Sequence, residues 1–111
     1  MDFALEYFVR DGRLDFLGYS LFSTAHGVYR ENILLSDSEI RTRIESGSSP
    51  EALAEKRSEV EQFLVSNIVP HYHGPVGVDF VVDEKGGIHL CEMNLRHTMG
   101  MVALNKLKVE N

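Results

Sequence analysis

One segment constrains this chain more than any other: GPVGVDFVVDEKGGIHLCEMNLRHTMG, from Gly74 to Gly100. Val76 to Val82 is valine-rich and alternates well enough for a β-strand, and Ile88 to Asn94 reads as a returning strand. The polar stretch Asp83-Glu84-Lys85-Gly86-Gly87 supplies the turn between them. Pairing Asp83 with Ile88 in an antiparallel register sets Asp79 opposite Glu92. Two carboxylates facing each other across a ladder repel, and a cation between them relieves the repulsion. Asn94 lies two residues beyond Glu92 and so projects from the same strand face. A hard divalent cation such as Mg²⁺ takes oxygen ligands, commonly carboxylates together with phosphate oxygens. Arg96 continues the alternation, where its planar guanidinium fork suits a phosphate. Spacing alone favours a solvated hairpin. The apolar neighbours Val78, Phe80, Leu90 and Cys91 favour a site, because a carboxylate in such surroundings needs a partner.

The residues G-V-D-F, a turn, and E-M-N-x-R-x-T-M-G resemble the C-terminal part of the ATP-grasp fold, a superfamily of ATP-dependent carboxylate–amine or carboxylate–thiol ligases working through an acyl-phosphate. The resemblance covers 27 of the 111 residues, 74–100. It implies that Asp79, Glu92 and Asn94 hold Mg²⁺ (or Mn²⁺) against ATP, and that Arg96 contacts phosphate or the reacting carboxylate. It also implies that Glu92, Asn94 and Arg96 face the nucleotide. No glycine-rich nucleotide loop, paired ATP-contacting lysines or adenine-contacting hinge precedes this segment. The chain therefore resembles the C-terminal lobe of a larger enzyme, inactive alone, with Met1 expected to be a boundary inside a longer protein. Full-length activity would need ATP and a small carboxylate substrate. The competing reading is a non-catalytic binding or assembly module on the same scaffold, with self-association through the face left by the missing lobe.

Length and composition agree with one domain over residues 1–111. A chain of this size supports a single core and buries about two-thirds of its unfolded surface. Hydrophobic residues make up 43% and charged residues 25%, an ordinary globular balance. The net charge of −6, without a Lys/Arg cluster, disfavours nucleic acid. No run approaches the roughly 18 apolar residues of a membrane helix, and a cytoplasmic location is expected. The single cysteine, Cys91, excludes an intrachain disulfide and is expected to be buried in its strand.

Upstream, Phe3 to Arg10 and Leu14 to Ser23 read as strands around an Asp11-Gly12 turn, with Gly18 marking a bulge. Thr24 to Asn32 is expected to be irregular and Ile33 to Leu35 a short strand. Ser36 or Asp37 caps a helix to about Ser46, with Glu39 as the capping-box acid. A second helix starts at Pro50, with an apolar stripe of Leu53, Val60, Phe63, Leu64 and Ile68 and a wet face of Glu55, Lys56, Arg57, Glu59 and Glu61. Pro70 closes it, and Thr98 to Leu107 is expected to form a last helix. Strands, helices, then strands again predict an α+β fold, a mostly antiparallel sheet covered by two or three helices. His71, His73, His89, Cys91 and His97 raise a zinc alternative, but no CxxC or HxxxH spacing supports it. His89 and Cys91 are expected on the face opposite Glu92. His26 and Tyr29 are candidates for a substrate pocket. No G-x-S-x-G elbow suggests a serine hydrolase.

Overall fold

The computed structural model describes residues 1–25 and 29–95. Five strands, β1 (Asp2–Arg10), β2 (Arg13–Ala25), β3 (Tyr29–Ile33), β4 (Gly74–Val82) and β5 (Ile88–Asn94), and two helices, α1 (Asp37–Gly47) and α2 (Pro50–Asn67), give the α+β class expected. The strands form one sheet in the order β3-β2-β1-β4-β5, antiparallel throughout. β1 is therefore the central strand, and β4 joins it only after the chain has crossed through both helices. The expected helix over 98–107 lies outside the described residues, as do His26, Arg96 and His97.

Alternation along β1 decides the two faces. Phe3, Leu5, Tyr7 and Val9 are buried in one core with Val76, Val78, Phe80 and Val82 of β4 and with Ile40, Ile44, Leu53, Val60 and Leu64 of the helices. The even-numbered residues, Ala4 and Glu6 among them, project from the other side of the sheet. Phe3 and Phe80, directly opposite in register, stack with centroids 5.2 Å apart. The Asp11-Gly12 turn takes φ values of 51° and 70°, the left-handed pair that a two-residue hairpin requires. The expected bulge falls at Leu17: Glu6 faces Gly18 and Tyr7 faces Phe16, leaving Leu17 as the extra residue. Gly18, at φ 140°, supplies the backbone freedom beside it.

The helix starts follow their capping residues. Ser36 Oγ accepts the Glu39 amide at 3.3 Å and donates to Glu39 Oε1 at 2.9 Å. Ser49 Oγ accepts the Ala52 amide at 3.0 Å, and Pro50 fills the first turn, where its missing N–H costs nothing. Ser49→Ala should lower stability by about 1 kcal/mol, read as a reduced urea midpoint at unchanged slope.

Three expectations on these elements are corrected. The third strand runs Tyr29–Ile33 rather than 33–35, because β2 extends to Ala25 and pairs Ala25 with Tyr29. Phe63 does not join the buried stripe of α2 and stays 49% exposed. It lines an open groove with Val60, Phe80, Leu90 and Met93 instead. Arg57 and Glu61 are not simply solvated: the Arg57 guanidinium lies 3.7 Å from the Phe16 ring centroid, and Tyr7 donates to Glu61 at 3.0 Å. Burial, reinforced by the Glu61 carboxylate, raises the Tyr7 phenol far above its ordinary pKa and keeps it a donor.

Candidate functional site

β4 and β5 bring Asp79 and Glu92 into direct register, as expected. The route differs from the one inferred. Val82, not Asp83, pairs with Ile88, which by itself would set Asp79 opposite Cys91. Asp83 is drawn out of the ladder by its own side chain, whose Oδ1 accepts the amides of Lys85 and Gly87, each at 2.8 Å. A bulge then restores the alignment. Phe80 pairs with Leu90 and Asp79 with Glu92, so Cys91 is the extra residue on β5.

That bulge also reverses the alternation behind it. His89 pairs with Val81 and thus shares the face of Asp79 and Glu92, contrary to expectation. Cys91 is exposed rather than buried. Leu90 is 57% exposed, so the surroundings of the acid pair are less apolar on the β5 side than the sequence suggests. Leu90 instead lines a groove of about 470 Å³ with Phe63, Val60, Phe80 and Met93 on the helix side. Met93 packs against the core, as its alternation with Glu92 and Asn94 predicts.

The side of the sheet opposite the helices carries the candidate site. Two rows cross it. One runs Ser20, Ala4, Asp79, Glu92; the next runs Gly18, Glu6, Gly77, Asn94. Burial is graded along this face: Glu92 is exposed, Asn94 half-buried, Asp79 only 9% exposed and Glu6 fully buried. Two carboxylates in register with a nearby amide make an oxygen donor set of the kind Mg²⁺ uses, with phosphate oxygens and water completing six positions. Among the described residues, no three His, Cys, Asp or Glu side chains converge as a metal-binding group. Asp79, Glu92 and Asn94 therefore form a two-carboxylate arrangement, with Glu6 beside it rather than in it.

Glu6 was not singled out from the sequence. A signal existed: it is the one acid inside FALEYFVR, out of phase with the apolar stripe. What the sequence could not show is that β1 lies beside β4, which places Glu6 opposite Gly77 and diagonal to Asp79.

The histidines have other roles among the described residues. His73 meets the Phe8 ring edge-on, with centroids 5.7 Å apart. His89 Nε2 lies 2.6 Å from Asp83 Oδ2. The hydrogen bond with His89, helped by the Gly87 amide, holds the Asp83 carboxyl below its ordinary pKa. A depressed carboxyl stabilises the fold above its unfolded pKa of about 3.9, and that contribution is lost as pH falls through the lower folded value. His89→Gln should move the Asp83 midpoint upward in a ¹³C carboxyl titration; an unchanged midpoint would show that the turn amides alone are responsible. Tyr29 opens β3, and its side chain, like His26, lies outside what the structure describes.

No family model matches the sequence, and no curated protein matches it significantly.

Proposed function

We propose that this chain is the metal- and phosphate-binding part of an ATP-grasp ligase, acting on a carboxylate through an acyl-phosphate within a longer protein. The observation that carries the proposal is the Asp79–Glu92 register pair with Asn94 on the same face. Two carboxylates in register with an amide on the same strand face are the oxygen donors that a hard divalent cation takes together with phosphate oxygens. Asp79 and Glu92 would hold the metal, and Asn94 would add a neutral oxygen. Arg96, outside the described residues, would contact phosphate. When bound, Mg²⁺ neutralises phosphate charge and orients the terminal phosphate for transfer. The chain's own contribution is positioning, from a rigid sheet rather than from loops.

The test is an amide NMR titration of the chain with Mg²⁺, with and without ATP. Saturable shifts at Asp79, Glu92, Asn94 and Arg96, larger with both ligands, support the proposal. The absence of shifts at millimolar Mg²⁺ and ATP would count against a site that works in this chain.

A second reading, an assembly module, draws on a different observation. Phe63 and Leu90 are exposed together along the outer edge of β5, and such an edge invites pairing. Concentration-dependent elution in size exclusion, without any Mg²⁺ response, would favour it over the ligase reading.

A further inference from the structure

The sheet ends in two edge strands, β3 and β5, and they are not alike. β3 is five residues long, and a short edge gives another chain little to pair with. β5 is seven residues long, and among the described residues no strand runs along its outer side. The bulge at Cys91 blunts that edge at one position only: Ile88, His89 and Leu90 keep regular register with β4. Leu90 faces the helix side with Phe80, yet α2 leaves it exposed, and Phe63 on α2 is half-exposed as well. With Val60, Phe80 and Met93 they line the groove of about 470 Å³. An unpaired strand edge and an apolar groove therefore lie side by side.

Charge indicates what fits there. The net charge of −6 opposes self-association in general. The rim of this groove is a local exception: Lys56 and Glu59 stand on it 3.5 Å apart, one base and one acid, both partly exposed. A second copy turned about a two-fold axis presents the same two charges in reversed order, so opposite signs meet across the seam. Such self-complementarity is what an isologous interface requires. The exposed Leu90 of each copy has the groove of the other to enter. The antiparallel order of the sheet also continues unchanged, because two β5 strands related by a two-fold axis normal to the sheet run antiparallel.

We propose that a second copy of this chain pairs with the first along β5, giving one continuous sheet with five strands from each copy and an α2 helix on either side of the seam. This rests on the assembly reading above and names its partner. Phe63 and Leu90 of both copies become buried on the helix side. The two-fold axis keeps like faces together, so the Asp79–Glu92 pairs of both copies share the opposite surface, away from the filled grooves. Pairing and metal binding therefore use different faces of the sheet.

The experiment is sedimentation equilibrium of the full chain over about a hundredfold range of concentration, where a monomer–dimer equilibrium is expected. Leu90→Glu, at a mostly exposed site, should weaken dimerisation by at least about 100-fold, because the two-fold axis places the change in the interface twice. An unchanged urea midpoint shows that this variant is folded. Lys56→Glu makes the rim wholly acidic and Glu59→Lys makes it wholly basic, so each variant alone should dimerise more weakly than wild type. Mixed in equal amounts, the two should associate about tenfold more tightly than either alone, an acidic rim against a basic one. A chain that stays monomeric throughout overturns both the pairing and the assembly reading. Self-association that Leu90→Glu leaves intact, or that mixing fails to strengthen, overturns pairing along β5 alone and moves assembly to another surface.

Discussion

Glu92→Gln should reduce Mn²⁺ or Mg²⁺ binding by at least about 100-fold while leaving the fold intact. Changes in groups that merely support metal ligands cost about 10- to 100-fold, and a direct ligand sets a higher floor. Glu92 is on the edge strand β5 and exposed, and it belongs to no part of the core. Glutamine keeps its shape and removes only the charge. The substitution also relieves repulsion with Asp79 directly opposite, so stability should stay within about 0.5 kcal/mol of wild type or rise slightly. Mn²⁺ binding followed by electron paramagnetic resonance, with urea unfolding alongside, reads both quantities. Undiminished Mn²⁺ affinity in the variant would remove Glu92 from the site. A large loss of stability would instead show that Glu92 holds the hairpin together.

Phe3→Ala should be the most damaging single truncation, at about 3–5 kcal/mol. Phe3 is fully buried on the central strand and stacked on Phe80. Its removal opens a cavity between the sheet and the helices, where β1 and β4 are held by their neighbours and cannot collapse into the space. A small domain has only about 5–15 kcal/mol in total, so the variant should be unfolded at moderate urea or by modest heating. Leu90→Ala is the control, a large apolar residue that is mostly exposed and should cost about 0.5 kcal/mol or less. Circular dichroism during urea unfolding measures both. If the two variants cost the same, the core is not centred on β1 as described.

The same contrast shows where the sequence was legible. Ser36 and Pro50 announced both helix starts because these signals are local: the Ser36 hydroxyl meets an amide three residues on, and Pro50 fits a first turn that has no use for its N–H. The left-handed Asp11-Gly12 turn was legible for the same reason. Phe63 was misread because helical spacing shows which residues share a side, not how closely the sheet packs against each of them. The bulges were harder. At Leu17 a nearby glycine marked the place to within one residue, whereas at Cys91 nothing in the residue types did. The Asp79–Glu92 pairing came out as expected only because two offsets cancelled: Asp83 left the ladder and Cys91 bulged out. His89 and Cys91 had no such cancellation, and their predicted faces were wrong.

By itself the sequence determined the α+β class, both helix starts and the β4–β5 hairpin that carries the two carboxylates. These rest on period, caps, turns and residue type, all of which act within a few residues. Only the tertiary structure decided that β4 docks beside β1. That long-range pairing brings Glu6 next to Asp79 and Ser20 into the row of Asp79 and Glu92. No local signal encodes it, because strand order is chosen by how the apolar faces of all five strands and both helices close over one core.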